Sequence, residues 1–309
     1  MNRDDSGMGT NDNDDSHNEK RARIAKILES PSYVRADQDL DWINAPEMRG
    51  TRLLLEYAKP QLKFVRQNVR STIVLFGGTR IVEPRAAHGR LKDARAAAAA
   101  APQDPGLARR VAVAERIAEK SHYYEVAREF SRIVSSAFQT AGERHMVVVT
   151  GGGPGIMEAG NRGAFDVGAK SMGLNITLPG EQVPNSYITP ELCFQFRYFA
   201  LRKMHFLAAA RALVAFPGGY GTLDELFETL CLIQTKVMRP VPVVLVGEAF
   251  WRQAFDAQFL CDEGVIDPED LELFVYAETA EEIRDKIVAW YEERNLDYTV
   301  TRPVYRSLE

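Results

Sequence analysis

Few folds accommodate the stretch Pro217-Gly218-Gly219-Tyr220-Gly221-Thr222-Leu223-Asp224-Glu225. It follows Ala212 to Phe216, a short apolar run that reads as a fully buried strand. It leads into Leu223, Leu226, Phe227, Leu230, Ile233 and Val237, which keep helical spacing. The stretch is therefore a strand, a glycine turn and a helix N-terminus. Glycines at 218, 219 and 221 permit backbone conformations closed to other residues and a close approach to a ligand, while the first helical turn has N–H groups to spare. That arrangement suits an anion, and a phosphate above all.

Similar units recur along the chain. Thr72 to Phe76 ends in Gly77-Gly78-Thr79-Arg80, and Met146 to Val149 ends in Thr150-Gly151-Gly152-Gly153-Pro154-Gly155, followed by a helix from Ile156 to Val167. Next come a strand at Leu174 to Leu178, a helix around Phe196 to Arg211, a strand at Val241 to Val246 and a helix from Trp251 to Leu260. A short strand at Leu273 to Tyr276 and a helix from Ala280 to Glu293 complete the pattern. Strands and helices alternating through tight turns imply an α/β fold: a mostly parallel, doubly wound sheet with helices on both faces. Residues 1–20, with Asp4, Asp5, Asp12, Asp14 and Asp15 and little apolar surface, are expected to be a disordered acidic tail. Residues 21–70 read as a helical extension, 71–295 as the main domain and 296–309 as a tail. Within the main domain, about 81–120 is Ala/Arg-rich and broken at Pro102-Gln103-Asp104-Pro105, which predicts an inserted helical hairpin.

The 309 residues, 45% hydrophobic, are enough to bury a substantial core, and a net charge of −5 argues against a nucleic-acid polymer as partner. Cys193, Cys231 and Cys261 are far apart, as suits free thiols in a reducing compartment. His122 and His145 lack ligand spacing, so no metal is expected. No apolar run of ~18 residues and no leader pattern is present. The expectation is a cytoplasmic protein with no membrane partner.

The 217–225 stretch matches the P-G-G-x-G-T-x-x-E signature of the LOG (LONELY GUY) family. Thr150 to Ala159 resembles the family's other glycine-rich turn in its longer bacterial form, and Leu201-Arg202-Lys203-Met204 resembles the arginine-lysine pair between them. The three blocks stand in the family's order, and the likeness covers roughly Ser71 to Trp290. The resemblance implies a Rossmann-like enzyme, assembled as a dimer or a multiple of it, that hydrolyses the N-glycosidic bond of a nucleoside 5′-monophosphate without a cofactor. Adenine and N6-substituted adenine (cytokinin) bases are both compatible with it. Its base and ribose 5-phosphate products would come from a site with Glu225 and Arg202 as the catalytic pair. Compared with the family pattern, the 81–120 segment is an insertion.

Each residue also has a plainer reading. Thr222-x-x-Glu225 before an apolar helix is a capping box, in which Glu225 has no chemical duty. Against this, a carboxylate here would lie near C1′ of a ribose whose phosphate occupies Gly218, Gly219, Gly221 and Thr222. Gln195, Tyr198, Arg202 and His205 recur at helical spacing as one polar stripe, so Arg202 is either a snorkelling surface arginine or an electrostatic and orienting group. Lys203 points about 100° away and reaches phosphate only from another face. Gly152, Gly153 and Gly155 either just start a helix or form a second phosphate-type turn. Glu158 either complements the helix dipole or binds a ribose hydroxyl. Thr79 and Arg80 end a strand where a ligand would touch them, with a surface ion pair as the alternative for Arg80.

Two further functions fit less of the sequence. A non-catalytic nucleotide-binding or carrier protein would use the same turn. A lysine decarboxylase, the label long attached to the family, needs pyridoxal phosphate with a Schiff-base lysine and a partner for its pyridine nitrogen, neither of which is recognisable. A nicotinamide dinucleotide is disfavoured because no turn spells G-x-G-x-x-G with a following acid.

Overall fold

A computed structural model describes residues 11–139, 142–179 and 183–298 of the chain. It divides after Leu55 into two compact units. In the first, α1 (Asn11–Leu28) and α2 (Leu40–Asn44) precede the start of α3 (Arg49–Arg66). Asp39 caps α2 by accepting from the Trp42 amide at 2.9 Å. The helical extension thus begins at Asn11 rather than Arg21, with Lys20, Arg21, Arg23 and Lys26 toward the end of α1 where the dipole favours cations. Residues 1–10 of the expected acidic tail lie outside the described residues, as do 299–309 of the C-terminal tail.

The second unit holds a seven-stranded sheet in the order β4-β3-β2-β1-β5-β6-β7. Its strands are β1 (Thr72–Phe76), β2 (Val147–Thr150), β3 (Ser171–Ile176), β4 (Cys193–Phe196), β5 (Ala210–Ala215), β6 (Val243–Val246) and β7 (Val275–Ala277). All six strand pairs are parallel. The fold is Rossmann-like. The winding reverses between β1 and β5, so the carboxyl ends of these two strands border the crevice where such sheets bind ligands. There Gly78 N–H donates to Pro217 O at 2.9 Å, tying the two strand ends together.

Alternate residues of the buried strands feed two cores. Ile73 and Leu75 pack with α6 (His122–Phe138), α7 (Ile156–Asp166) and α12 (Ala280–Glu293). Val74 and Phe76 pack on the other face with α8 (Phe199–Leu207), α9 (Tyr220–Gln234) and α10 (Glu248–Ala254), which α11 (Ala257–Asp262) follows. Between β1 and α6, α4 (Pro84–Ala100) and α5 (Pro105–Lys120) form the hairpin read from the alanines and prolines. Arg95 bridges to Glu115 across it at 2.8 Å.

One sequence expectation fails in a way that affects the site. The helix anticipated from Phe196 to Arg211 is the shorter α8, preceded by an unanticipated strand, β4, that ends at Phe196, and followed by β5, which takes in Ala210 and Arg211. Phe194 and Phe196 are buried and Gln195 exposed, a period of two that pairs with β3 at the sheet edge. The polar stripe therefore does not exist. Gln195 donates to Thr177 Oγ1 at 3.3 Å, and His205 is buried with Nδ1 2.7 Å from Leu201 O. Of the four residues, only Arg202 faces the crevice. Strand β3 also begins three residues earlier than the apolar run from Leu174 suggested, and the expected helix from Trp251 to Leu260 is split into α10 and α11.

Candidate active site

Helix α9 starts at Tyr220, two residues before Thr222, with Gly219 as its N-cap and no side-chain capping bond. The capping-box reading of Glu225 is thereby excluded. Thr222 stands inside the first turn, its amide already donating to Gly219 O at 2.9 Å. The amides of Tyr220 and Gly221 have no acceptor among the described residues, so they remain available to an anion.

Glu225, one turn further, is 5% exposed. Its Oε1 lies 3.9 Å from Arg202 Nη1, an ion pair too long for a hydrogen bond, and no donor bonds to the carboxylate among the described residues. Burial pushes its pKa up to about 7, with Arg202 and Lys203 pulling the other way. A buried acid with its oxygens unoccupied is costly unless a function retains it. Arg202 is held on three sides. Its Nε donates to Leu174 O at 2.7 Å, its guanidinium lies 5.0 Å from the Phe206 ring centre, and Gly151 lies beneath it. A Cβ at Gly151 would stand 2.6 Å from Arg202 Nη2, so this glycine makes room for the arginine. Burial lowers the Arg202 pKa, against the raising influence of Glu225 and Asp224.

These groups line a cavity of about 310 Å³ between the ends of β1 and β5, within the usual range for small-molecule sites. Gly77, Gly78 and Thr79 bound it on one side, and Gly219, Gly221, Thr222, Asp224 and Glu225 on the other. Phe76, Met157, Ile176, Leu178 and Phe199 supply an apolar wall.

Residues 157–287 match a protein-family model described as "Possible lysine decarboxylase". A probable cytokinin riboside 5′-monophosphate phosphoribohydrolase of Oryza sativa subsp. japonica is 28% identical over 149 residues, 46% of this chain and 67% of the relative. A cytokinin riboside 5′-monophosphate phosphoribohydrolase of Arabidopsis thaliana is 29% identical over 174 residues, 55% and 76% of the two chains. The chain is thus similar, over about half its length, to phosphoribohydrolases of the LOG type. Among solved structures, a Moco carrier protein from Chlamydomonas reinhardtii aligns at 20% identity with a TM-score of 0.39, covering 56% of this chain and 89% of that one.

Beside Glu225 and Arg202, the other predicted residues separate. Thr79, Gly219, Gly221 and Thr222 line the cavity, whereas Gly218, Gly152, Gly153, Gly155, Arg80, Glu158 and Lys203 do not. Lys203 forms ion pairs instead, with Asp224 at 2.8 Å and Glu228 at 3.3 Å, on another face of its helix. Glu158 accepts from Tyr124 OH at 2.8 Å, away from the cavity. Gly152 N–H is spent on Thr150 Oγ1 at 3.0 Å, inside a network through Asn161 and Asn185 that fixes this turn. The lining residues missed from sequence are Gly77, Gly78, Gly151, Asp224 and the apolar wall. Gly151 lay within a recognised motif, and Ile176 ends a strand, the place where open parallel sheets present ligand contacts. Met157 lay within the same motif as Gly151, and for Phe199 no sequence signal existed.

The decarboxylase label does not fit this cavity. No lysine is among its lining residues, so pyridoxal phosphate has no Schiff-base partner there. Among the described residues no helix is long and apolar enough to cross a membrane, and no cluster of metal-ligating side chains occurs.

Proposed function

We propose that the protein hydrolyses the N-glycosidic bond of a purine nucleoside 5′-monophosphate, AMP or an N6-substituted AMP, to free base and ribose 5-phosphate. The single observation that carries this reading is the Glu225–Arg202 pair, buried at 3.9 Å in a cavity whose rim is the glycine-rich start of α9. The 5′-phosphate lies at the amides of Tyr220 and Gly221 and the hydroxyl of Thr222, where the helix dipole favours negative charge. Thr79 and Gly78 close the opposite side.

With the phosphate so held, the ribose reaches toward Glu225. As the C1′–N bond breaks, its electron pair leaves with the base and positive charge develops on the ribose, which the carboxylate stabilises. Water then adds its oxygen to C1′, and Glu225, with a pKa of about 7, is matched to accept the proton released. Overall one water is consumed: its hydroxyl ends on C1′, and its proton, released again by Glu225 to restore the carboxylate, ends on the free base. Arg202 stays charged, holds part of the Glu225 population ionised at neutral pH and orients it. The names of the LOG-family relatives support this reaction class.

The test is to incubate the purified protein with a panel of nucleoside 5′-monophosphates and measure free base together with ribose 5-phosphate. Stoichiometric release of both from a purine monophosphate is the expected result. Binding without turnover across the panel would instead favour the carrier reading.

A further inference from the structure

Outside the candidate active site, a cavity of about 370 Å³ lies in the inserted hairpin, between α4 and α5. Val113, Ala114 and Ile117 contribute an apolar floor, and Arg90, Arg109 and Arg110 stand along its edges. No carboxylate lines it, and none of the three arginines makes an ion pair or hydrogen bond among the described residues. Elsewhere in the same hairpin Arg95 does find an acid, Glu115 at 2.8 Å. The contrast extends to charge. Residues 84–120 carry eight Lys and Arg against four Asp and Glu, in a chain whose net charge is −5.

Unpaired arginines favour phosphate or carboxylate, which their planar donor forks engage two bonds at a time. An apolar floor favours hydrocarbon, because covering it removes apolar surface from water. We propose that the α4–α5 groove binds a small amphiphilic anion, a phosphate or carboxylate head on an aliphatic body. The head sits at Arg109 and Arg110 with Arg90 opposite, and the body lies along Val113, Ala114 and Ile117. The proposal is independent of the reaction assigned to Glu225, since none of these residues touches that cavity.

The probe is octyl phosphate below its micelle-forming concentration, titrated calorimetrically into the full chain, with octanol, inorganic phosphate and phosphatidylglycerol vesicles as separate arms. Octyl phosphate is expected to bind and to slow amide hydrogen exchange within 84–120. Octanol and inorganic phosphate should each bind at least tenfold more weakly. An Arg109→Gln, Arg110→Gln double variant, altered only at exposed positions, should keep the wild-type melt and lose at least tenfold in affinity. Ala114→Phe, which fills the groove from one helix, serves as a second variant with the same expected loss. The proposal is overturned if octyl phosphate does not bind, if neither variant weakens it, or if ribose 5-phosphate displaces it. Octanol binding equally well, or protein capture by vesicles alone, would overturn it too.

Discussion

In the turn after β2, Gly152 and Gly155 have φ of 76° and 72°, and a Cβ at either would stand 2.5 Å from Asn175 Nδ2 or from Gly78 O respectively. In the turn after β5, nothing lies within 4 Å of where a Cβ of Gly219 or Gly221 would stand, although both residues line the cavity. Two motifs that look alike in sequence therefore have different causes. In the first turn the backbone requires glycine to close the loop against its neighbours. In the second a Cβ at Gly218 would clash with the Thr222 side chain, but the fold leaves the space open at Gly219 and Gly221, and the ligand proposed for the cavity accounts for glycine at those two positions. Arg202 joins the two, filling the room left by Gly151 and facing Glu225.

Substitutions sharpen or break this contrast. The largest effect is expected from Glu225→Gln, which keeps the volume and removes the charge. Turnover of AMP should fall about a thousandfold, roughly 4 kcal/mol of transition-state stabilisation. Wild-type kcat in this variant would leave the second turn without chemistry. Next is Gly155→Ala, where positive-φ strain and backbone overlap together should destabilise by about 2–5 kcal/mol in a denaturant melt. A variant as stable as wild type would show that the first turn tolerates a side chain after all.

The pH profile comes third. Glu225 has a raised pKa of about 7, and in the proposed reaction its ionised form is the active one, so protonation below neutrality should remove activity. Measured kcat/KM should rise with pH up to about 7, approaching a tenfold change per unit on the acid limb. The second ionisation of the substrate phosphate, near about 6, adds its own limb below that. A profile flat from 5 to 8 would contradict a titrating carboxylate. The smallest effect belongs to Gly221→Ala. Alanine is the better helix former by up to about 1 kcal/mol, so the melt should hold or rise slightly, while KM for AMP increases about tenfold as the methyl enters the cradle. A loss of stability without a change in KM would reverse the roles assigned to the two turns.

Much of the fold was legible because buried parallel strands are short apolar runs ending in glycine, and β1, β2 and α12 lie within a residue of where those runs place them. The hairpin was legible from its alanines and prolines. Strand β4 was not, since four residues at a sheet edge alternate too briefly to outweigh the helical spacing of Tyr198, Arg202 and His205. Glu225 and Arg202 were found through motif resemblance, whereas spacing alone favoured a cap and a surface stripe. Both of those local readings gave way to tertiary placement: α9 starts earlier than its Thr-x-x-Glu spacing implies, and β3 offers Leu174 O to Arg202. Glu158 and Lys203 went the other way, with partners at 2.8 Å in Tyr124 and Asp224 that no spacing rule reveals.

The most direct measurement compares base release from AMP and from adenosine by the wild-type protein. The account holds the substrate by its 5′-phosphate at Tyr220, Gly221 and Thr222. Charge-assisted hydrogen bonds contribute about 1.5–3 kcal/mol each, so losing two should cost about 3–6 kcal/mol. The predicted kcat/KM for AMP therefore exceeds that for adenosine by roughly a hundredfold to several-thousandfold. Equal values would remove the phosphate from the turn after β5, and with it the frame in which Glu225 and Arg202 act.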